Sequence, residues 1–270
     1  MTTTTATSVT SADGTTIGVS STGSGPALVI VDGALCSRTM GPAEALADAL
    51  SDRFTVWTYD RRGRGESGPG ATPWSIEREV EDLAAVVAAA GGRAHAFGSS
   101  SGALLALVAA ARGVPLDRVV GHEAPGVVDG THPATEPAFA ERVQSLVDAG
   151  DRGGAVKAFL RLVGAPAPMV ALMRLMPAWR RMTAVAHTLP WDLALVVPRS
   201  QGRPDDAATW AAVRQPVLLL AGGKSPEYMR NAQASLAAAL PDARCELLPG
   251  QTHMLKADAA GPVVAAFLAG

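Results

Sequence analysis

Cysteine is scarce in this chain, and neither a long hydrophobic run nor a surplus of one charge stands in as a structural signal. Only two cysteines, Cys36 and Cys245, occur in 270 residues. They lie far apart, with no C-x-x-C spacing and no histidine partner pattern, which argues against a disulfide or metal site and leaves two reduced core residues. No stretch is both long and apolar enough to cross a bilayer; the best candidate, Ala103 to Ala111, is far too short. The opening Met1-Thr-Thr-Thr-Thr-Ala-Thr lacks the basic segment and apolar core of a secretory leader. Net charge is −2, with both signs spread along the chain and no basic run or basic helix face. A cytoplasmic protein with no membrane and no nucleic-acid partner is expected.

What is present is apolar material in regular order. Hydrophobic residues make up 48% of the chain, enough for a sizeable core. Ala27 to Val31 is a continuous apolar run, which suits a strand buried on both faces. Phe54 to Tyr59 and Arg93 to Phe97 read as further strands, and Val119-Val120 begins another that ends near Glu123. Between them, Ser75 to Ala90 carries Ile76, Val80, Leu83 and Val87 at helical spacing, and Gly91-Gly92 ends it. Ala103 to Ala111 is apolar all round and reads as a buried helix. Thr15 to Ser20 alternates like an antiparallel strand, behind a Thr-rich segment over residues 1–10 that reads as a frayed tail leading into the first strand.

Strands alternating with helices predict an α/β chain with a mostly parallel sheet of about eight strands, covered by helices on both faces. The alternation breaks from about residue 126 to 203, a helical stretch rich in Pro and Met. It resumes with strand Val217 to Leu220, helix Glu227 to Leu240, strand Ala243 to Leu248 and helix Pro262 to Leu268. The expected organisation is a core of residues 1–125 and 204–270, with 126–203 a helical cap inserted after the sixth strand.

Gly98-Ser99-Ser100-Ser101-Gly102 follows a strand directly and opens a helix. A nucleophile held on so tight a turn needs small neighbours because the backbones crowd, and the turn pushes Ser100 Oγ out at the carboxyl end of the sheet. The next N–H, from Ser101, sits at a helix N-terminus and can donate to a developing oxyanion. A plain Gly/Ser loop would show the same pentapeptide, but not the strand and helix on either side of it.

With these residues in view, the chain resembles the α/β-hydrolase family over nearly its whole length. Asp60-Arg-Arg-Gly-Arg-Gly-Glu-Ser67 resembles the family's D-x-R-G-x-G-x-S loop, which is structural, with Asp60 and Ser67 binding turn backbone. The resemblance implies an oxyanion donor after the third strand, in a His-Gly-x segment. Here it reads Asp32-Gly33-Ala34, so Ala34 N–H is the donor and an aspartate replaces the histidine. It also implies a general base in the loop after the last strand, where Gly250-Gln-Thr-His253 offers His253. The family's usual acid, after the seventh strand, falls at Ser225 in Gly222-Gly-Lys-Ser-Pro226, and serine carries no charge. A second arrangement in the family has the acid after the sixth strand, which here offers Glu123 in Gly121-His-Glu-Ala-Pro125. A glutamate closing an apolar strand needs a partner. Two readings stay open: acid to His253, or a structural pairing with His122 or an arginine of the insertion.

The insertion carries Met169, Met173, Met176, Trp179 and Trp191, adaptable apolar residues that suit a hydrophobic substrate pocket or, equally, the insertion's own core. The resemblance thus implies a serine hydrolase for an ester, lactone or similar acyl bond of a small hydrophobic metabolite. Its triad would be Ser100, His253 and Glu123, its oxyanion hole Ala34 and Ser101, and it would need no metal or organic cofactor. A C–C bond hydrolase, an acyltransferase or a natural-product tailoring enzyme would share that triad, and a non-catalytic small-molecule binding protein would share the fold.

Overall fold

The computed structural model describes residues 5–70 and 73–270. In chain order the elements begin with β1 (Thr5–Thr10), β2 (Thr16–Gly23), β3 (Ala27–Val31), α1 (Ala43–Leu50), β4 (Thr55–Tyr59) and α2 (Ile76–Ala89). Then come β5 (Ala94–Ser99), α3 (Ser101–Ala111) and β6 (Leu116–His122). Five helices follow: α4 (Pro137–Asp148), α5 (Arg152–Leu162), α6 (Ala167–Met173), α7 (Pro177–Val185) and α8 (Leu189–Val196). The chain closes with α9 (Ala207–Trp210), β7 (Val217–Gly222), α10 (Glu227–Ala239), β8 (Ala243–Leu248) and α11 (Ala257–Leu268).

The eight strands form one sheet in the order β1-β2-β4-β3-β5-β6-β7-β8. β1 and β2 pair antiparallel and β2 joins β4 antiparallel; from β4 onward all pairs are parallel. Both faces are covered. Leu28, Ile30, Phe97, Val120, Leu218 and Leu220 face the helices α1 and α11, while Val29, Val31, Ala96, Val119 and Leu219 face α2, α3 and α10. Alternate residues of one strand thus enter opposite cores, which is why β3 and β7 read as unbroken apolar runs.

Three elements differ from expectation. Thr5–Thr10, within the expected tail, is a strand paired to β2 through all six residues, because an edge strand with an exposed face accepts threonine as readily as valine. The tail expected over residues 1–4 lies outside the described residues. Helix α11 begins five residues before Pro262, with the proline inside it. Pro262 lies inside the helix and not at its start, the position that ring prefers. Ala43–Leu50 forms a helix with Ala43, Leu46, Ala47 and Leu50 on its buried face. Helix α2 is as expected, with the Ser75 hydroxyl accepting from Arg78 N–H at its N-terminus.

Candidate active site

The site lies at the carboxyl ends of four neighbouring strands, β5 to β8. Gly98 and Gly102 have the close approach the elbow demands. A Cβ on Gly98 would lie 2.4 Å from Ala103 Cα, and one on Gly102 would lie 2.1 Å from the Val31 carbonyl oxygen. Between them Ser100 adopts φ 54° and ψ −127°, a conformation that costs a non-glycine residue of order 1–3 kcal/mol. It is held there by Ser100 N–H donating to the His122 carbonyl at 2.9 Å, and Ser100 Oγ takes no part in capping α3.

Among the described residues, three that are not glycine have positive φ: Leu35, Ser100 and Glu123. They follow β3, β5 and β6, adjacent strands in the sheet. Backbone strain collects at functional sites because only an overdetermined surrounding holds it. Here it falls on the segment after β3, the β5–α3 turn and the end of β6, the three places expected to hold the oxyanion donor, the nucleophile and the acid.

Glu123 is fully buried, and every contact of its carboxylate is a donor. Oε2 lies 2.8 Å from His253 Nδ1. Oε1 accepts from Gly222 N–H at 2.8 Å and from the Ser225 hydroxyl. Burial pushes its pKa up, but the hydrogen bonds from His253, Ser225 and Gly222 outweigh it, and the net shift is downward. Among the described residues the Glu123 carboxylate meets the His253 ring and neither ring nitrogen of His122. An ionised carboxylate only accepts, so Nδ1 is the donor in this contact. The His253 loop is fixed against the β7 loop by Lys224 N–H to the Gln251 carbonyl and Gly223 N–H to the Leu248 carbonyl, both 2.9 Å. The His253 side chain is 45% exposed, and its ring stacks at 6.1 Å on the buried His122. Burial pushes the His122 pKa down to about 4, so that ring is neutral. Ser100 and His253 share no hydrogen bond among the described residues, a relaxed geometry common before substrate binds.

The segment Asp32-Gly33-Ala34 packs directly on the elbow: a Cβ on Gly33 would lie 2.9 Å from Ser100 Cβ and 3.5 Å from its Oγ. Ser101 N–H belongs to the first turn of α3, where a helix leaves its donors without internal partners. Asp32 is buried with Oδ1 unpartnered, and burial pushes its pKa up to about 7 against the opposing pull of Arg64 and Arg61.

Other features were not foreseen. Ser225, at the position where the resemblance asks for an acid, instead donates to Glu123, one strand away. Arg61, Arg62 and Arg64 are all buried and ion-paired. Arg61 pairs with Glu79 and Asp192, Arg62 with Asp82 and Asp13, and Arg64 with Asp192. The signal was available, since Glu79 and Asp82 interrupt the buried face of α2, where carboxylates need cations. Asp60 binds loop backbone, accepting from the Arg38 and Glu66 N–H groups, and Ser67 Oγ accepts from Gly18 N–H of β2 at 2.9 Å and donates to the Asp60 carbonyl.

Of the five expected pocket residues, Trp191 stands beside Asp192, whose carboxylate reaches Ser101, and it stacks on Trp74 at 5.7 Å. Met173 and Trp179 pack into the cluster of the inserted helices, which also includes Leu35, while Met169 and Met176 are 48% and 51% exposed. Among the described residues no His/Cys/Asp/Glu group has metal-ligand geometry, and no helix is long and apolar enough to cross a membrane.

Residues 32–266 match the model of the alpha/beta hydrolase family. The crystal structure of an alpha/beta hydrolase from Sphaerobacter thermophilus is 43% identical, covers 97% of this chain and 100% of that one, and superposes with a TM-score of 0.89. The 2-(acetamidomethylene)succinate hydrolase of Mesorhizobium japonicum is 28% identical over 245 residues, 88% of this chain and 85% of that protein. The enol-lactonase from Burkholderia xenovorans shares the fold, with 20% identity, 95% and 98% coverage and a TM-score of 0.70.

Proposed function

Because the chain is a hydrolase belonging to the alpha/beta hydrolase family, we propose that it cleaves an ester, lactone or similar acyl bond of a small hydrophobic metabolite through Ser100, His253 and Glu123. The observation that carries this reading is the 2.8 Å contact of Glu123 Oε2 with His253 Nδ1, beside a serine held at positive φ. Ser100 Oγ attacks the carbonyl carbon as His253 Nε2 removes its proton. Glu123 stabilises the imidazolium, and the N–H groups of Ala34 and Ser101 receive the oxyanion. His253 then returns the proton to the leaving group, and a water molecule hydrolyses the acyl-Ser100 ester by the same steps. General base action of this kind contributes about 10²–10⁴-fold, and each oxyanion donor about 10²–10³-fold. The helices α4 to α8 form a cap over this chemistry, with Trp191 beside the Asp192 that meets Ser101, Met173 and Trp179 in its apolar cluster, and Met169 and Met176 half-exposed. The named substrate of the Mesorhizobium relative carries an acetamido group, so amides belong among the substrates to try.

A fluorophosphonate probe should label the wild-type protein and leave Ser100→Ala unlabelled. With p-nitrophenyl acetate, Glu123→Gln should lower kcat by about 10²–10⁴-fold. A wild-type protein that is neither labelled nor active on acyl substrates would sink the proposal; full turnover by Glu123→Gln would sink the assignment of the acid.

A further inference from the structure

We propose that Asp192, on the inserted helix α8, is a positioning residue for both halves of the oxyanion hole, so that the inserted segment governs the rate of the acyl chemistry. The inference rests on the serine-hydrolase reading of Ser100. Its basis is a set of four contacts. Asp192 is 1% exposed; its Oδ1 accepts from Ser101 Oγ and from Arg61 Nη1, each at 2.7 Å. Its Oδ2 accepts from Arg64 Nη2 at 2.7 Å. The same guanidinium donates through Nη1 to the Gly33 carbonyl, also at 2.7 Å.

That carbonyl belongs to the peptide unit whose N–H is that of Ala34. A peptide unit is planar and trans, so its C=O and N–H point in opposite directions. Fixing the Gly33 oxygen on Arg64 therefore fixes the direction of the Ala34 N–H, and the guanidinium charge polarises that N–H toward an anion. On the other side, the Ser101 hydroxyl is tied to Asp192 directly, which holds the residue that supplies the second N–H. One carboxylate thus reaches both donors, one through Arg64 and one through a side chain of the donor residue itself.

The electrostatics fit this role better than simple packing. Burial opposes ionisation of Asp192, yet Arg64, Arg61 and the Ser101 hydroxyl together hold its pKa below the usual carboxylate value. Replacing buried ion pairs by apolar residues of similar volume is often neutral or stabilising, so stability alone gives little reason for them. What an ionic cluster provides and an apolar plug does not is fixed direction, and direction is what an oxyanion hole requires.

The test compares Ser101→Ala and Asp192→Asn with the wild-type protein on p-nitrophenyl acetate, with a phenylboronic acid as a ligand that needs the oxyanion hole. Ser101→Ala leaves all three arginine–carboxylate contacts of Arg61 and Arg64 in place, and its kcat should fall about three- to tenfold with KM within twofold. Asp192→Asn should lower kcat by at least about 30-fold and weaken phenylboronate binding in proportion, again with little change in KM. A folded Asp192→Asn with wild-type kcat and boronate affinity would overturn the inference, as would a rise in KM at constant kcat, which would make α8 a wall of the substrate pocket. If Asp192→Asn does not fold, Ser101→Ala decides, and an unchanged kcat there overturns the inference. In each of these outcomes the wild-type protein is active; an inert, unlabelled wild type instead removes the serine-hydrolase reading.

Discussion

Two helices of the same inserted segment, α6 and α8, are both short, apolar and proline-containing, and they meet opposite fates. Helix α8, LPWDLALV, buries Leu189, Asp192, Leu193 and Leu195, and its aspartate is bound by two arginines of the core. In α6, APMVALM, Val170 alone is buried. Five of the seven exposed large hydrophobics among the described residues lie at its borders and along it: Val163, Met169, Leu172, Leu175 and Met176. The other two are Leu247 and Met254. Apolar content therefore does not distinguish the two helices. What separates them is one carboxylate with partners waiting on the core, which ties α8 to the elbow while α6 stays on the outer surface.

The largest expected effect breaks that tie. Asp192→Ala leaves Arg64 buried with no carboxylate partner, while Arg61 keeps Glu79, and loss of the buried pair costs about 3–5 kcal/mol. Thermal unfolding followed by circular dichroism should show a melting temperature lowered by roughly 10 °C. A loss below about 1 kcal/mol would mean that α8 is held by apolar packing, as its composition alone implies.

The same contrast recurs between two carboxylates near the nucleophile. Asp192 has donors on both oxygens and is held ionised, whereas Asp32 has Oδ1 unpartnered and its pKa raised from 3.8 to about 7. The sign follows directly. In the folded protein Asp32 is protonated below about pH 7 and ionised above it, so repulsion of the oxyanion appears as pH rises through that value. The ratio of kcat/KM for Asp32→Asn to that of the wild type should stay near one at about pH 5.5 and rise about three- to tenfold by about pH 8.5. The folded state also holds this proton more tightly than the unfolded chain, so stability declines as pH rises from 3.8 to about 7. Asp32→Asn should remove that decline; a flat ratio and an unchanged stability profile would show Asp32 to be ionised throughout.

The smallest expected effect lies just after α6. Leu175 is 83% exposed, and Leu175→Ser should leave stability within about 0.5 kcal/mol of the wild type in urea unfolding. A larger loss would show that α6 packs against something in solution and would erase the contrast with α8.

Much of the site was legible because its constraints are local. The elbow needs small residues between a strand and a helix, and Gly98 to Gly102 state that in five letters. His253 follows from its place after the last strand, and Glu123 from the absence of a carboxylate at Ser225. The rest was hidden because it depends on partners distant in sequence. Ser225 and Gly222 meet Glu123 across about a hundred residues, and Asp192 meets Ser101 across 91. No periodicity or spacing encodes such a meeting. The proline in α11 and the threonines in β1 misled for the opposite reason, since tertiary burial and pairing overrode the local preference.

By itself the sequence determined the alternation of strands and helices, the turn that carries Ser100 and the candidate base, because hydrophobic period and glycine placement act within a few residues. Only the tertiary structure decided that Glu123 faces His253, that Asp32 lies buried with one oxygen unpartnered, and that Asp192 of the inserted helices reaches Ser101 and, through Arg64, the Gly33 carbonyl. Charge burial is an energy of neighbours, and in this fold those neighbours come from strands and helices far apart along the chain.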